Sequence, residues 1–90
     1  MVVRFFASLR EVTGEAALDC ATPAADVGEL LESLAASYGP VFRRAVLDGK
    51  RLAPAVMVLV NGHNARFAGG VETPLRASDE VAIFPPLGGG

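Results

Sequence analysis

Apolar residues at Val27, Leu30, Leu31, Leu34, Ala35 and Tyr38 recur at the i, i+3, i+4, i+7, i+8 and i+11 positions of one helical face. No other stretch of the chain sustains that period, so the fold has to be built around one covering helix. Asp26 stands just ahead of the stripe with Glu29 three residues on, the spacing of a reciprocal cap at a helix start, and Gly39-Pro40 supplies the stop. A lone amphipathic helix of this length buries one stripe and needs a second layer to bury it against.

The remaining apolar residues fall in short blocks with strand character. Residues 2–7 are rich in β-branched and aromatic side chains, and residues 16–21 resume an extended pattern after the turn-prone Thr13-Gly14, so the two read as a hairpin. Residues 42–47 predict a short helical turn before Asp48-Gly49. Residues 55–60 form a continuous apolar run with three valines, the pattern of a central strand covered on both faces, and Asn61-Gly62 after it signals a tight turn. Gly69-Gly70 and Pro74 make residues 63–75 read as a short irregular strand with loops. In the last strand Val81 and Ile83 alternate with Glu80 and Ala82, and Pro85-Pro86 ends the pairing because proline has no N–H to donate. This order predicts an α+β fold, a mixed sheet covered by one main helix, which is the β-grasp (ubiquitin-like) arrangement. The domain is expected over residues 1–84, with a flexible tail over residues 85–90.

Size and composition exclude several function classes. Ninety residues form a single domain that buries roughly 60–65 per cent of the surface its unfolded chain exposes. No apolar block approaches the roughly 18–20 residues of a membrane span, so no membrane role is expected. The opening MVVRFFASLR sets Arg4 and Arg10 around a very short apolar run and offers no secretory h-region. A single cysteine, Cys20, forms no internal disulfide and holds no metal or iron–sulfur site by itself, which suits a reducing cytoplasm. The net charge is −2, and the eight basic residues are dispersed from Arg4 to Arg76 with acidic residues between them. Phosphate binding needs a concentrated basic face, so no nucleic-acid partner is expected.

A conventional active site is hard to assemble from this inventory. His63 follows the Asn61-Gly62 turn and reads as an exposed turn residue, and Cys20 reads as a small hydrophobe at a strand end. The glycines at the end precede no helix and no Lys-Ser/Thr pair, so they form no nucleotide-binding loop. The chain is therefore not expected to be an enzyme by itself. Its tail offers a different kind of chemistry. Pro85-Pro86 favours a stiff, extended exit, and the six residues from Pro85 to Gly90 reach roughly 20 Å at about 3.3 Å each. Lacking Cβ atoms, Gly88, Gly89 and Gly90 pass a narrow channel and leave a terminal carbonyl unhindered. A carboxylate at Gly90 is a poor electrophile until transfer to ATP gives it a good leaving group, after which a sulfur nucleophile can attack. On the residues alone, an ordinary frayed end reads equally well.

The chain resembles the MoaD/ThiS sulfur-carrier family, the prokaryotic ubiquitin-like proteins, over essentially its whole length. VRFFASLREVTG resembles that family's first strand and loop, and DEVAIFPPLGGG its last strand and diglycine tail. The helix starting near Asp26 and the segment LDGKRLAPAV also fit. The resemblance implies that an activating-enzyme-like adenylyltransferase spends ATP to adenylate Gly90, and that a sulfur donor converts it to a thiocarboxylate. The large subunit of molybdopterin synthase then receives the sulfur for the molybdenum cofactor, with no cofactor bound to the carrier. It further implies that Gly88 and Gly89 thread the partner's active site and that Phe84, Pro85, Pro86 and Leu87 guide the tail. Phe6 and Arg10 would add to a partner-facing surface, although from the residues alone Phe6 reads equally as core and Arg10 as a solvated loop residue.

Two departures bear on the receiving pathway. Gly88 precedes the diglycine where small or hydroxyl residues are usual in the molybdopterin branch, and VNGHNARFAGGVETPL is longer than in the short carriers, resembling extended members. Some of these resemble carriers for cysteine biosynthesis or small protein modifiers. Delivery to cysteine, thiamine or tRNA thiolation, conjugation through Gly90 to protein lysines, and a non-covalent β-grasp interaction module therefore stand beside the molybdopterin reading.

Overall fold

The computed structural model describes residues 1–20 and 24–86. Strand β1 (Val2–Phe5) is followed by a short helix α1 (Ser8–Thr13), strand β2 (Ala17–Asp19), the main helix α2 (Val27–Tyr38) and helix α3 (Pro40–Val46). A two-stranded ribbon, β3 (Leu47–Asp48) and β4 (Arg51–Leu52), leads to β5 (Met57–Val60) and β6 (His63–Asn64). Two 3-10 turns, Ala65–Phe67 and Gly70–Glu72, precede the last strand β7 (Glu80–Phe84). Five strands form one mixed sheet in the order β2-β1-β7-β5-β6, in which β1 and β7 run parallel and all other neighbours antiparallel. This is the β-grasp order expected from the sequence.

Helix α2 forms where its stripe and caps place it. The Asp26 carboxylate accepts from the Glu29 backbone N–H at 2.8 Å, and the Glu29 carboxylate accepts from the Ala25 N–H at 3.3 Å. Gly39, at φ 95°, ends the helix in a backbone conformation open to glycine and turns the chain into α3, which starts on Pro40. Gly28 is required for another reason. A Cβ there would stand 3.1 Å from both the Cβ and the carbonyl of Val71, so glycine lets the 70–72 turn pack directly on the helix.

The core lies between the helices and one face of the sheet. Val3 and Phe5 of β1, Val81 and Ile83 of β7, and Val58 and Val60 of β5 meet Leu30, Leu31 and Leu34 of α2, Phe42 and Val46 of α3, and Leu9 of α1. Phe5 is fully buried and makes edge contacts with the rings of Tyr38 and Phe42, at centroid distances of 5.7 and 6.0 Å. The Arg66 guanidinium donates to the carbonyls of Ala53 and Val56, at 2.7 and 2.8 Å, and so pins the connection into β5.

Three expectations are corrected. The hairpin of residues 2–7 and 16–21 pairs as expected, Val3 opposite Leu18, but its strands are shorter and α1 occupies the connection. Six residues burying Leu9 alone are too few to show a helical period. Second, residues 55–60 are not a strand covered on both faces. Val58 and Val60 point into the core, whereas Met57 is exposed and Leu59 half-exposed on the uncovered face. Third, the turn expected at residues 42–47 is a helix that runs from Pro40 to Val46, which makes three α-helices among the described residues.

At the Asn61-Gly62 turn both residues have positive φ, 50° and 84°, as a two-residue hairpin requires. Asn61 also ties the turn to β7. Its backbone N–H donates to the Glu80 carbonyl at 2.8 Å, its side-chain carbonyl accepts from the Glu80 N–H at 2.9 Å, and its amide donates to Asp79 at 2.9 Å. The Arg76 backbone N–H, at 2.7 Å, and then the Asn61 amide hold the Asp79 carboxyl below its ordinary value of 3.8. A carboxylate whose native value lies below its unfolded one stabilises the fold fully above the ordinary value, and that stability is lost as pH falls through the lowered one. Asp79→Asn is therefore expected to melt below the wild type at neutral pH, with the gap closing in acid below 3.8. A gap unchanged across a pH series of thermal melts would contradict this assignment.

Candidate functional site: the strand end that leads into the tail

Because β1 and β7 are parallel, their C-terminal ends lie side by side at one end of the sheet, with the Phe6 N–H donating to the Ile83 carbonyl at 3.2 Å. Phe5 and Ile83 point into the core. Phe6 and Phe84 therefore project from the opposite, uncovered face. Their rings stack in parallel, with centroids 4.2 Å apart and an interplanar angle of 13°. The Arg10 guanidinium caps the stack 5.6 Å from the Phe6 centroid, and its Nε donates to the Phe5 carbonyl at 3.1 Å. Arg10 is thus a placed residue of α1. Phe6 is half-buried on the outer face and lies outside the buried core.

The bend that places Arg10 is strained. Ala7 sits between β1 and α1 at φ 51° and ψ −132°, a conformation that a residue with a Cβ rarely adopts. Glycine there removes a penalty of about 1–2 kcal/mol and adds chain entropy worth about 0.5–1 kcal/mol. Ala7→Gly is accordingly expected to raise the melting temperature slightly and Ala7→Val to lower it. A destabilised glycine variant would show that the bend carries no strain.

Met57 pairs with Phe84 in the β5–β7 register, and Leu59 with Ala82. These side chains extend the Phe6–Phe84 stack into an apolar row across the uncovered face, and the Arg4–Glu80 ion pair, at 3.4 Å, flanks it on β1 and β7. Met57 and Leu59 escaped the sequence reading because outward and inward positions of β5 are all apolar, which hides the alternation. Pro85 is buried and Pro86 exposed, so the chain leaves the sheet from an anchored point. The sites expected at Leu87, Gly88, Gly89 and Gly90 lie outside the described residues.

The other chemistry-bearing residues lie elsewhere. His63 is exposed in β6, and Cys20 is half-buried against the core just after β2. Among the described residues no group of three or more His, Cys, Asp or Glu side chains is placed to hold a metal ion, and no helix is long and apolar enough to cross a membrane. What the strand end offers is a flat aromatic and aliphatic surface with a cation at its edge, beside Pro85 and Pro86. Aromatic residues, phenylalanine among them, and arginine are enriched at protein–protein interfaces.

The model of the ThiS family matches residues 3–90 of the chain. The chain is 40% identical to small archaeal modifier protein 3 of Haloferax volcanii, over 98% of this chain and 96% of that protein. It is 36% identical to the molybdopterin synthase sulfur carrier subunit of Escherichia coli, again over 98% and 96%. Its fold superimposes on a chain of the Amycolatopsis orientalis BexX/CysO complex with a TM-score of 0.83 and 27% identity, covering 99% of this chain and 98% of that one.

Proposed function

This chain belongs to the ThiS family of ubiquitin-like sulfur carriers and modifiers, and from that premise we propose that Gly90 is its reactive residue and sulfur for molybdopterin its cargo. A partner of the adenylyltransferase class joins the Gly90 carboxylate to the AMP moiety of ATP with loss of pyrophosphate. A sulfide-equivalent nucleophile then displaces AMP and leaves a thiocarboxylate. The family match over residues 3–90 includes Gly88, Gly89 and Gly90, which supports this reading. The observation that carries the reading is the Arg10–Phe6–Phe84 stack at the origin of the tail. Such a surface lets a partner hold the folded domain while the tail reaches a reaction centre roughly 20 Å away. Gly88 and Gly89 would thread that centre, with Pro85, Pro86 and Leu87 setting the direction of approach.

The molybdopterin acceptor is supported by the resemblance to the Escherichia coli subunit. The test is a reconstitution in which thiocarboxylated protein is mixed with a molybdopterin synthase large subunit and its sulfur-free pterin substrate. Dithiolene should form and the carrier should return to the carboxylate. Sulfur that stays on the carrier, yet leaves when a cysteine, thiazole or tRNA acceptor system is offered, would assign it to another pathway. A modifier reading has its own support in the 40% identity to small archaeal modifier protein 3. In that case the same acyl-adenylate is passed to a lysine amine of a target protein.

A further inference from the structure

Seven of the eight basic residues are arginines, and Lys50 is the single lysine of the sequence. We propose that Lys50 is the acceptor at which a second copy of this chain is attached through Gly90, so that polymers of this protein carry one linkage only. The inference rests on the modifier reading and specifies the acceptor which that reading leaves open.

Three observations favour Lys50. It occupies the tip of the β3–β4 ribbon, where Gly49 at φ 61° makes the turn and Asp48, Lys50 and Arg51 are all exposed. Among the described residues it takes part in no ion pair within 4 Å, so an incoming acyl group displaces no partner. Lys50 also borders an open cleft of about 300 Å³ shared with Leu47 and the carboxylates of Asp26, Glu29, Glu32 and Glu72. Asp26 and Glu29 are occupied as caps and Glu32 is held by Arg43 at 2.7 and 3.0 Å. The Glu72 carboxylate makes no hydrogen bond or ion pair among the described residues, which leaves it to receive the proton an attacking ammonium must shed.

The position of the ribbon allows repetition. The cleft is built from α2, the ribbon and the 70–72 turn, on the helix side of the sheet, whereas Phe6, Phe84 and Met57 project from the uncovered side. A copy modified at Lys50 keeps its own Phe6–Phe84 stack uncovered for an activating partner. The step balances without oxidant or reductant: the Lys50 nitrogen forms a C–N bond to the Gly90 carbonyl carbon, the C–O bond to AMP breaks, and a proton is released. ATP and the adenylyltransferase partner supply the activated acyl group. Glycine at the donor end imposes no side chain on the approach.

The test uses the full chain, ATP and the adenylyltransferase of the same organism, with and without sulfide, for the wild type, Lys50→Arg and a variant lacking Gly89-Gly90. The wild type should give covalent oligomers whose tryptic digest contains peptide 45–51 carrying residues 77–90 on Lys50. Lys50→Arg should give none, yet still gain the mass of oxygen replaced by sulfur when sulfide is present. Oligomers that persist in Lys50→Arg, or a wild type that accepts sulfur but never oligomerises, would overturn the acceptor assignment while leaving activation intact. If neither sulfur gain nor oligomers appear, activation at Gly90 falls and this inference with it.

Discussion

Phe5→Ala is expected to remove about 3–5 kcal/mol from the unfolding free energy, the range for truncating a buried aromatic without collapse of the cavity. Phe5 is fully exclusive of solvent, sits in the parallel β1–β7 pair at the middle of the sheet, and contacts both Tyr38 at the end of α2 and Phe42 in α3. One ring thus joins the strand pair to the helix layer. A domain of this size has a total stability on the order of 5–13 kcal/mol, so the variant should be near unfolding at physiological temperature. At about 4–8 °C per kcal/mol its melting point should fall by tens of degrees. A fall of only a few degrees in calorimetry would mean that neighbouring side chains close the cavity.

Phe84→Ala should behave in the opposite way, remaining folded and failing in partner recognition. Phe84 is half-exposed, and its loss costs the stack with Phe6, an aromatic pair worth about 0.5–1.5 kcal/mol beyond its buried area. Centrally placed aromatic anchors of an interface cost 2 kcal/mol or more when truncated, which is roughly a thirtyfold loss of affinity. The binding constant for the adenylyltransferase, measured by calorimetric titration, should weaken by roughly 10- to 100-fold while the melting temperature drops modestly. Phe6→Leu, which keeps apolar bulk and removes the stack, should fall between the two. Unchanged affinity in Phe84→Ala would move the recognition surface away from this strand end.

The parts of this structure that were legible in the sequence are those in which local chemistry and tertiary packing agree. The Asp26 cap and its stripe, the Gly39-Pro40 stop, the Asn61-Gly62 turn and the proline pair each act within a few residues, and each stands where the residues place it. Helix α1 was not legible because its six residues bury only Leu9 and its first bend, at Ala7, uses a conformation that alanine does not signal. The β3–β4 ribbon has two residues per strand, below any detectable alternation. The outward row of Met57 and Leu59 was hidden because an apolar outer face looks like a strand with two buried faces. Phe6 and Arg10 were nominated only through the family resemblance. Their stack with Phe84 depends on the parallel β1–β7 pairing, which joins residues far apart in the chain. Leu87, Gly88, Gly89 and Gly90 lie outside the described residues, and on the residues alone a reactive tail and a frayed end read equally well.

Gly90 is proposed to bear the transferred sulfur on its carboxyl carbon. The most direct measurement is the intact mass of the full chain after incubation with ATP, its adenylyltransferase and a sulfide source, beside the same reaction on the variant lacking Gly89-Gly90. A gain equal to one oxygen replaced by sulfur is expected, localised by fragmentation to Gly90 and missing from the truncated protein. No gain with an enzyme that adenylates another carrier in the same buffer, or an equal gain in the truncated protein, would contradict it.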